Sequence, residues 1–199
     1  MSVGASLNDE NGRHAGRVAV YRWDGVTLNY KQRGDALGGE AEGDLFGTSL
    51  DLSSDGKILA VGSQAGDSNG YKSGQVRVYA WDLVSSSYNQ QGQAMNGSTM
   101  WDYFGLSVSL SGDGTKLAVG ANAGLGSNGV VRLFALNKSI MSYEPLGDPL
   151  NGDAPLDRFG SSVSLSDDGT TLAIGAPYND VNGDDSGLVK IFKFDDITA

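Results

Sequence analysis

The chain has 199 residues, of which 39% are hydrophobic and 19% charged, a composition typical of one globular domain with a core and not of a disordered segment. Its net charge of −10 disfavours binding to nucleic acid, and no apolar run approaches the roughly 20 residues that insert across a membrane. The chain has no cysteine, which excludes disulfides and thiolate chemistry. Its single histidine, His14, leaves little material for histidine-based catalysis.

The chain consists of a repeat of 55 to 58 residues. Phe-Gly pairs lie 58 and then 55 residues apart, and Asp-Gly pairs keep the same two intervals. The difference in length lies in one segment, because two glycines that are 12 positions apart in three copies are 9 apart in the copy at Gly120 and Gly129. We expect this segment to be a surface loop, since loops tolerate changes in length. The pairs are Phe46-Gly47, Phe104-Gly105 and Phe159-Gly160, and Asp55-Gly56, Asp113-Gly114 and Asp168-Gly169.

Each copy contains four predicted strands. The first, at 46–53, 104–111 and 159–166, alternates apolar and small polar residues, as a strand with one buried face does. It runs into the Asp-Gly pair, which predicts a tight turn. The second, at 58–62, 117–120 and 172–175, is apolar on both faces. The third covers 16–21, 74–79, 129–134 and 187–192, and the fourth runs from Tyr30, Tyr88 or Tyr143 to Gly39, Gly97 or Gly152.

The repeat predicts an all-β protein. No segment has a helical stripe, and a unit of four short antiparallel strands can bury its two faces only against neighbouring units. We therefore expect a β-propeller of four-stranded antiparallel blades, with a β-solenoid as the alternative architecture. The whole chain, 1–199, is then a single propeller segment, with repeats at approximately 1–45 (partial), 46–103, 104–158 and 159–199 (partial). This is about three and a half blades with 14 strands, and it predicts an incomplete ring.

The repeat resembles a known family. Phe-Gly followed by a Gly-Ala-Pro segment, complete at Gly175-Ala176-Pro177, is similar to the FG-GAP repeats of the integrin α-subunit N-terminal β-propeller. The Ser-x-Asp-Gly-x-x-Leu-Ala turn is also similar to WD40 repeats, whose period of about 40 to 45 residues is shorter. The FG-GAP resemblance implies a binding or adhesion function and an extracellular or cell-surface location.

Calcium is the one cofactor that the family resemblance suggests. Many FG-GAP repeats carry an Asp-x-Asp-x-Asp-Gly loop before the second strand, but here the alternating carboxylates are missing, so we expect no cofactor at that position. A separate candidate for calcium lies in the last variable loop, where Asp180, Asn182 and Asp184 place oxygens on alternate residues. The competing interpretation is a surface turn stabilised by the Asp and Asn side chains.

These patterns predict a binding module without catalytic activity. Adjacent carboxylates on a strand point to opposite faces, and the serines lack a nucleophile motif, so we expect no enzyme. The variable loops are predicted to bind a protein or glycan, with Tyr71 and Tyr178 as candidate contacts. The alternatives are a structural spacer of a larger surface protein and a fragment of a propeller glycosidase or lyase. Further blades of a longer chain, or self-association through open edges, are additional candidate partners.

Overall fold

The structure, a computed structural model, describes residues 1–122 and 128–194, which form four antiparallel sheets and no helix. Each sheet is one blade. Blade one contains β1 (Ser2–Ala5), β2 (Arg17–Asp24), β3 (Asn29–Gln32) and β4 (Leu37–Gly38), and blade two contains β5 (Phe46–Leu52), β6 (Ile58–Ser63), β7 (Gln75–Asp82), β8 (Ser87–Gln90) and β9 (Met95–Asn96). Blade three contains β10 (Ser107–Leu110), β11 (Lys116–Ala121), β12 (Val130–Asn137), β13 (Ser142–Pro145) and β14 (Leu150–Asn151), and blade four contains β15 (Ser162–Leu165), β16 (Thr171–Ala176) and β17 (Leu188–Lys193).

The order of strands within a blade follows the repeat. In blades two and three the first predicted strand pairs with the second, the second with the third and the third with the fourth. The first strands β5, β10 and β15 contact one another in turn, and β1 contacts β5. The innermost strands therefore lie side by side around a common axis, which is the arrangement of an incomplete β-propeller.

The two outer blades are shorter than the two inner ones in the described part of the chain. In blade one, Val3 of β1 pairs with Ala19 of β2. The residues at the same repeat positions in blade two, Val61 of β6 and Arg77 of β7, pair in the same way. Strand β1 is thus a second strand, as predicted, and blade four consists of first, second and third strands.

The fourth strand differs from its prediction, because it is broken into two pieces. Strand β7 pairs first with β8, through Tyr79 and Gln90, and then with β9, through Val76 and Met95. Between the two pieces Gly92 has a φ of 72°, a conformation that interrupts the extended chain. The same break separates β3 from β4 and β13 from β14, at Gly34 and Gly147.

The Asp-Gly turns are confirmed in all three copies. The amides of Gly56, Gly114 and Gly169 donate to the carbonyls three residues earlier at 2.8 Å, and each glycine has a φ between 66° and 70°. In blade two the Asp55 carboxylate accepts hydrogen bonds from the Ser53 hydroxyl and the Lys57 amide. Aspartate at this position stabilises the turn that joins the first and second strands.

The hydrophobic core lies between blades. Phe46, Phe104 and Phe159 are fully buried, each against the third strand of the preceding blade. The amide of Phe104 donates to the carbonyl of Ser73 at 3.0 Å, so the Phe-Gly pair bends onto blade two before β10 begins. Strands β10 and β15 begin three residues after the Phe of the predicted strand, whereas β5 begins at Phe46 and has an irregular register before Ser49. No helix of the described residues has the length and hydrophobicity to span a membrane.

Candidate functional site

The axial cavity is the first place where a ligand could bind. Its volume is about 450 Å³. In its wall, the hydroxyls of Ser49 and Ser107 donate to the carbonyls of Gly105 and Gly160, each on the next blade. These hydroxyls hold neighbouring blades together. The described lining residues carry no ionisable side chain, so they offer no acid or base for catalysis: Gly4, Gly47, Thr48, Ser49, Leu50, Leu106, Ser107, Val108, Ser161, Ser162 and Val163.

A second cavity, of about 550 Å³, lies beside the first blade and contains charged groups that already have structural partners. One carboxylate oxygen of Asp51 accepts from the amide of Leu110 at 2.8 Å. Asp55 holds its turn, and its pKa is lowered to about 2, chiefly by the side chain of Lys57. Arg33 donates to the carbonyl of Gly56 and lies over the Trp81 ring at 4.3 Å. The Asp51 and Arg33 contacts thus tie neighbouring blades together.

A third cavity, of about 440 Å³, combines opposite charges with amides, and we call it the blade-three pocket. A guanidinium nitrogen of Arg132, on β12, lies 3.7 Å from a carboxylate oxygen of Asp102. The side chains of Arg132 and Asp102 keep 22% and 10% of their surface exposed, so both can be reached from the cavity. The pocket is lined by Asp102, Asn128, Gly129, Val130, Arg132, Pro149 and Asn151.

Asp102 is held rigidly by the segment that enters blade three. Its carboxylate accepts hydrogen bonds from the amides of Ser98 and Thr99, at 2.6 and 3.1 Å, and from the Thr99 hydroxyl at 3.0 Å. The Arg132 guanidinium donates to the Ser98 hydroxyl at 2.6 Å. A carboxylate and a guanidinium fixed in this way are pre-organised to contact a polar ligand.

Blade three differs from blade two at a repeat position that lines this pocket. In blade two the matching space is filled by Gln75, whose amide donates to Ser68 and Asn96 at 3.0 and 2.8 Å. Blade three has the shorter Val130 at the position of Gln75, and its variable loop is three residues shorter. The amide of Asn151, at the position of Asn96, therefore lines a cavity in blade three.

The charge of Arg132 is also less neutralised than that of its counterparts. Arg77 of blade two pairs with Glu40 at 2.5 Å, and Lys190 of blade four pairs with Asp153 at 2.5 Å. At the matching position blade three has Ser98, a neutral hydroxyl. Arg132 pairs instead with Asp102, at the longer distance of 3.7 Å, and its guanidinium can also contact an anionic group or a developing oxyanion.

The two predicted ligand-binding tyrosines lie in different blades. Tyr71 is 49% exposed and packs edge-on against Trp101, with ring centroids 4.7 Å apart. Tyr178 is 42% exposed, and the Arg158 guanidinium lies 4.5 Å from its ring centroid. Tyr71, in blade two, thus packs against the segment that enters blade three, and Tyr178 packs against the segment that enters its own blade four. Their contact with a ligand stays a prediction.

The predicted calcium ligands form an exposed turn in blade four. One carboxylate oxygen of Asp180 accepts from the amide of Asp185 at 2.8 Å, and Asn182 and Asp184 are exposed. Asp9 and Asp67 accept from amides five residues later in the same way, at 2.7 and 2.6 Å. The first aspartate of this pattern therefore closes a turn. Among residues 1–122 and 128–194, no group of three or more Asp, Glu or His side chains could hold a metal ion. Calcium at this turn stays an alternative to the predicted surface turn.

The residues of the blade-three pocket are absent from the sequence-based candidates. Aspartate occupies this repeat position in three copies, as Asp44, Asp102 and Asp157. This recurrence is the sequence signal that could have identified Asp102 as a candidate. Its proximity to Arg132 is a contact between segments 30 residues apart, which periodicity alone does not reveal. At the same repeat position ahead of blade two, burial raises the pKa of Asp44.

Comparison with known families confirms the resemblance seen in the sequence. The FG-GAP repeat model matches residues 151–192, so the chain contains an FG-GAP repeat. No curated protein gave a significant match to the chain. The matched segment runs from the last strand of blade three to the third strand of blade four, and it includes the complete Gly175-Ala176-Pro177 motif.

Solved structures share the β-propeller fold. A candidate 6-phosphogluconolactonase from Bacteroides uniformis superposes with a TM-score of 0.61 at 16% identity, over 92% of this chain and 45% of that one. The periplasmic gluconolactonase of Pseudomonas aeruginosa gives 0.59 at 21% identity, over 89% and 46%. A protein from Lactobacillus plantarum gives 0.55 at 17%, over 90% and 45%. This chain therefore spans less than half the length of each of these structures.

These comparisons contradict two predictions from the sequence. The chain was expected to be a non-catalytic binding module or spacer and not an enzyme, yet two of the similar folds are described as lactonases. The expectation rested on the absence of local catalytic motifs, and a site assembled from separate segments has no local sequence signal. In a stacked-blade fold, groups from separate segments meet in a pocket, as Asp102 and Arg132 do. At these identities the likeness itself shows the fold alone.

Proposed function

We propose that this protein is part of a β-propeller hydrolase that opens a sugar lactone, with the blade-three pocket as its substrate site. The observation that carries the proposal is the juxtaposition of Asp102, Arg132 and the amide of Asn151 in one cavity. The lactonase activity of proteins with this fold supports the choice of reaction. The pocket lies wholly within this chain, so its chemistry can be tested without further blades.

The chemistry of lactone opening fits these side chains. Water adds to the ester carbonyl, the ring C–O bond breaks, and the alkoxide takes up a proton, which leaves a hydroxy acid. Asp102 would accept the proton of the attacking water as general base and return it to the leaving oxygen. Arg132 would stabilise the negative charge on the carbonyl oxygen, and the amides of Asn128 and Asn151 would bind the sugar hydroxyls.

Charge favours a neutral substrate. The chain carries a net charge of −10, so a phosphorylated lactone approaches against repulsion, whereas an uncharged lactone does not. Arg132 is the only cation among the described lining residues of the pocket. We therefore expect glucono-1,5-lactone to be opened faster than its 6-phosphate.

The test is hydrolysis of both lactones by the full chain, followed with a pH indicator against the spontaneous rate. Replacing a general base costs about 10²- to 10⁴-fold in rate, so we expect the hydrolysis rate of Asp102→Asn to fall by that factor. The rate of Arg132→Gln should fall by about 10²-fold or more. Lys190→Gln, at the position of Arg132 in blade four, is the matched control and should keep the activity. Asn151→Ala leaves the Asp102 hydrogen bonds intact and should raise KM.

A folded chain that opens neither lactone faster than buffer would overturn the proposal, and so would full activity of Asp102→Asn. The extracellular location and the protein or glycan partners stay predictions from the family resemblance. Secretion of a tagged full-length protein from its native cells tests the location directly.

A further inference from the structure

One packing arrangement is repeated at each contact between blades. Two aliphatic residues of a third strand are covered by the first strand of the next blade, whose Phe is fully buried. The covered pairs expose at most 6% of their surface. They are Val18 and Val20 under Phe46, Val76 and Val78 under Phe104, and Val131 and Leu133 under Phe159.

Glycines make room for this approach. A Cβ added to Gly16, Gly74 or Gly129 would lie 2.1 to 2.2 Å from the carbonyl oxygen of the Phe on the next blade. Near the axis, a Cβ on Gly62 or Gly120 would lie 2.1 Å from the carbonyl oxygen of the next Phe-Gly glycine. Each contact thus has a receptor half, made of two glycines and two aliphatic residues, and an inserted half, the Phe-Gly pair.

Backbone hydrogen bonds complete the contact. The amides of Phe46, Phe104 and Phe159 donate to the carbonyl one residue before the receptor glycine, at 3.0, 3.0 and 3.2 Å. The hydroxyls of Ser49 and Ser107 donate across the same boundary. The inserted segment is therefore recognised through its main chain as well as its Phe ring.

Blade four has the receptor half without the inserted half in the described part of the chain. Val189 and Ile191, at the positions of Val131 and Leu133, are 64% and 69% exposed. The three atoms nearest to a Cβ on Gly187 belong to Pro177 of its own loop, and the three nearest to a Cβ on Gly175 belong to Ser162 of its own blade. The matching carbonyl is that of Ser186, and the matching hydroxyl is that of Ser162.

We propose that this face of blade four binds the first two strands of a further blade that begins with Phe-Gly and is not one of the blades of this chain. The three internal contacts define the occupant, because the receptor glycines accept a Phe-Gly main chain and the aliphatic pair accepts a Phe ring. A second copy of this chain does not supply it, since its three Phe residues are fully buried within their own copy. This inference is independent of the lactonase proposal.

The probe is a synthetic peptide with the sequence of residues 157–176, the first two strands of blade four, labelled for fluorescence anisotropy and titrated with the full chain. We expect saturable binding that weakens at least tenfold for the Phe159→Ala peptide. Ile191→Lys in the protein should weaken it at least tenfold as well. Because Ile191 is exposed, this variant keeps the fold, and Val84→Lys, an exposed apolar site in a turn of blade two, is the control with unchanged affinity.

Three outcomes would overturn the inference: no saturable binding to the unaltered protein, equal affinity of the Phe159→Ala peptide, or equal affinity of the Ile191→Lys protein. Sedimentation of the unaltered chain and of Ile191→Lys supplies a fourth criterion. A dimer that Ile191→Lys dissociates would show that a second copy covers the face, against the proposal. A monomer in both cases agrees with it.

Discussion

At the scale of single residues, the glycines at the blade contacts are required by space and by conformation. Gly74 has a φ of 80° and lies directly against the backbone of Phe104. An L-residue is strained at this φ, and a Cβ would overlap a main-chain atom that cannot move aside. The frequent glycines of this chain are thus packing positions between blades as well as turn positions.

We predict that Gly74→Ala lowers the free energy of unfolding by about 2 kcal/mol or more, through backbone strain together with displacement of blade three. Gly25→Ala is the control, because a Cβ at Gly25 would have no atom within 4 Å. Urea denaturation followed by circular dichroism measures both. Equal stability of the two variants would contradict the close approach of the blades.

The turn aspartates predict a dependence of stability on pH. The pKa of Asp168 is lowered to about 2, chiefly by the Ser166 hydroxyl and next by the Thr170 amide. A carboxyl whose pKa is lower in the folded state stabilises the fold above its unfolded pKa, and this contribution is lost as the pH falls through the folded pKa. Stability should therefore decline between pH 4 and about 2.

In this window the urea midpoint of Asp168→Asn should fall less steeply with decreasing pH than that of the unaltered chain. Ser166→Ala removes the largest cause of the lowered pKa of Asp168. Its urea midpoint should therefore also fall less steeply with decreasing pH. Identical slopes for all three proteins would show that the turn hydrogen bonds do not favour the ionised carboxylate.

At the scale of strands and blades, the repeat determined what could be predicted. The apolar run 58–62 predicts a strand covered on both faces, and Leu59, Ala60 and Val61 of β6 are fully buried. The break of the fourth strand at Gly92 was not predicted. The local sequence does not distinguish a glycine that ends a strand from a glycine that divides a strand into two pieces. The blade-three pocket depends on a contact between Asp102 and Arg132, which no local pattern encodes.

A hydrogen bond across the Asp-Gly turn distinguishes complete blades from the first blade. The Tyr88 hydroxyl donates to the carbonyl of Gly56 at 2.6 Å, and Tyr143 makes the same bond to Gly114. Burial raises the pKa of the Tyr143 hydroxyl, as expected for a phenol held neutral between blades. Tyr30 occupies this position in blade one and is 53% exposed.

We predict that Tyr88→Phe lowers the free energy of unfolding by about 1 kcal/mol, because the carbonyl of Gly56 loses one of its two donors and keeps only Arg33. Tyr30→Phe is the matched control at the same repeat position, and its effect should stay within about 0.5 kcal/mol. Thermal or urea unfolding of the two single variants makes the comparison. A larger loss for Tyr30→Phe would mean that blade one is covered in solution.

At the scale of the whole molecule, four blades form an arc whose cohesion comes from the contacts between them. Three Phe-Gly insertions hold the arc, and the fourth receptor face carries exposed aliphatic residues. The sequence period predicted this stacking. The prediction of a non-catalytic module is contradicted by the lactonases among the similar folds.

The central claim, that blades stack through one repeated contact and that the fourth face is open, can be tested with thiol labelling, because the chain has no cysteine. Single variants Val78→Cys, Leu133→Cys and Ile191→Cys place a thiol at one repeat position in three blades. We expect the Ile191→Cys thiol to react at the rate of a free thiol, and the other two to react at least about a hundredfold more slowly, through transient opening. Equal labelling rates at all three positions would contradict the account.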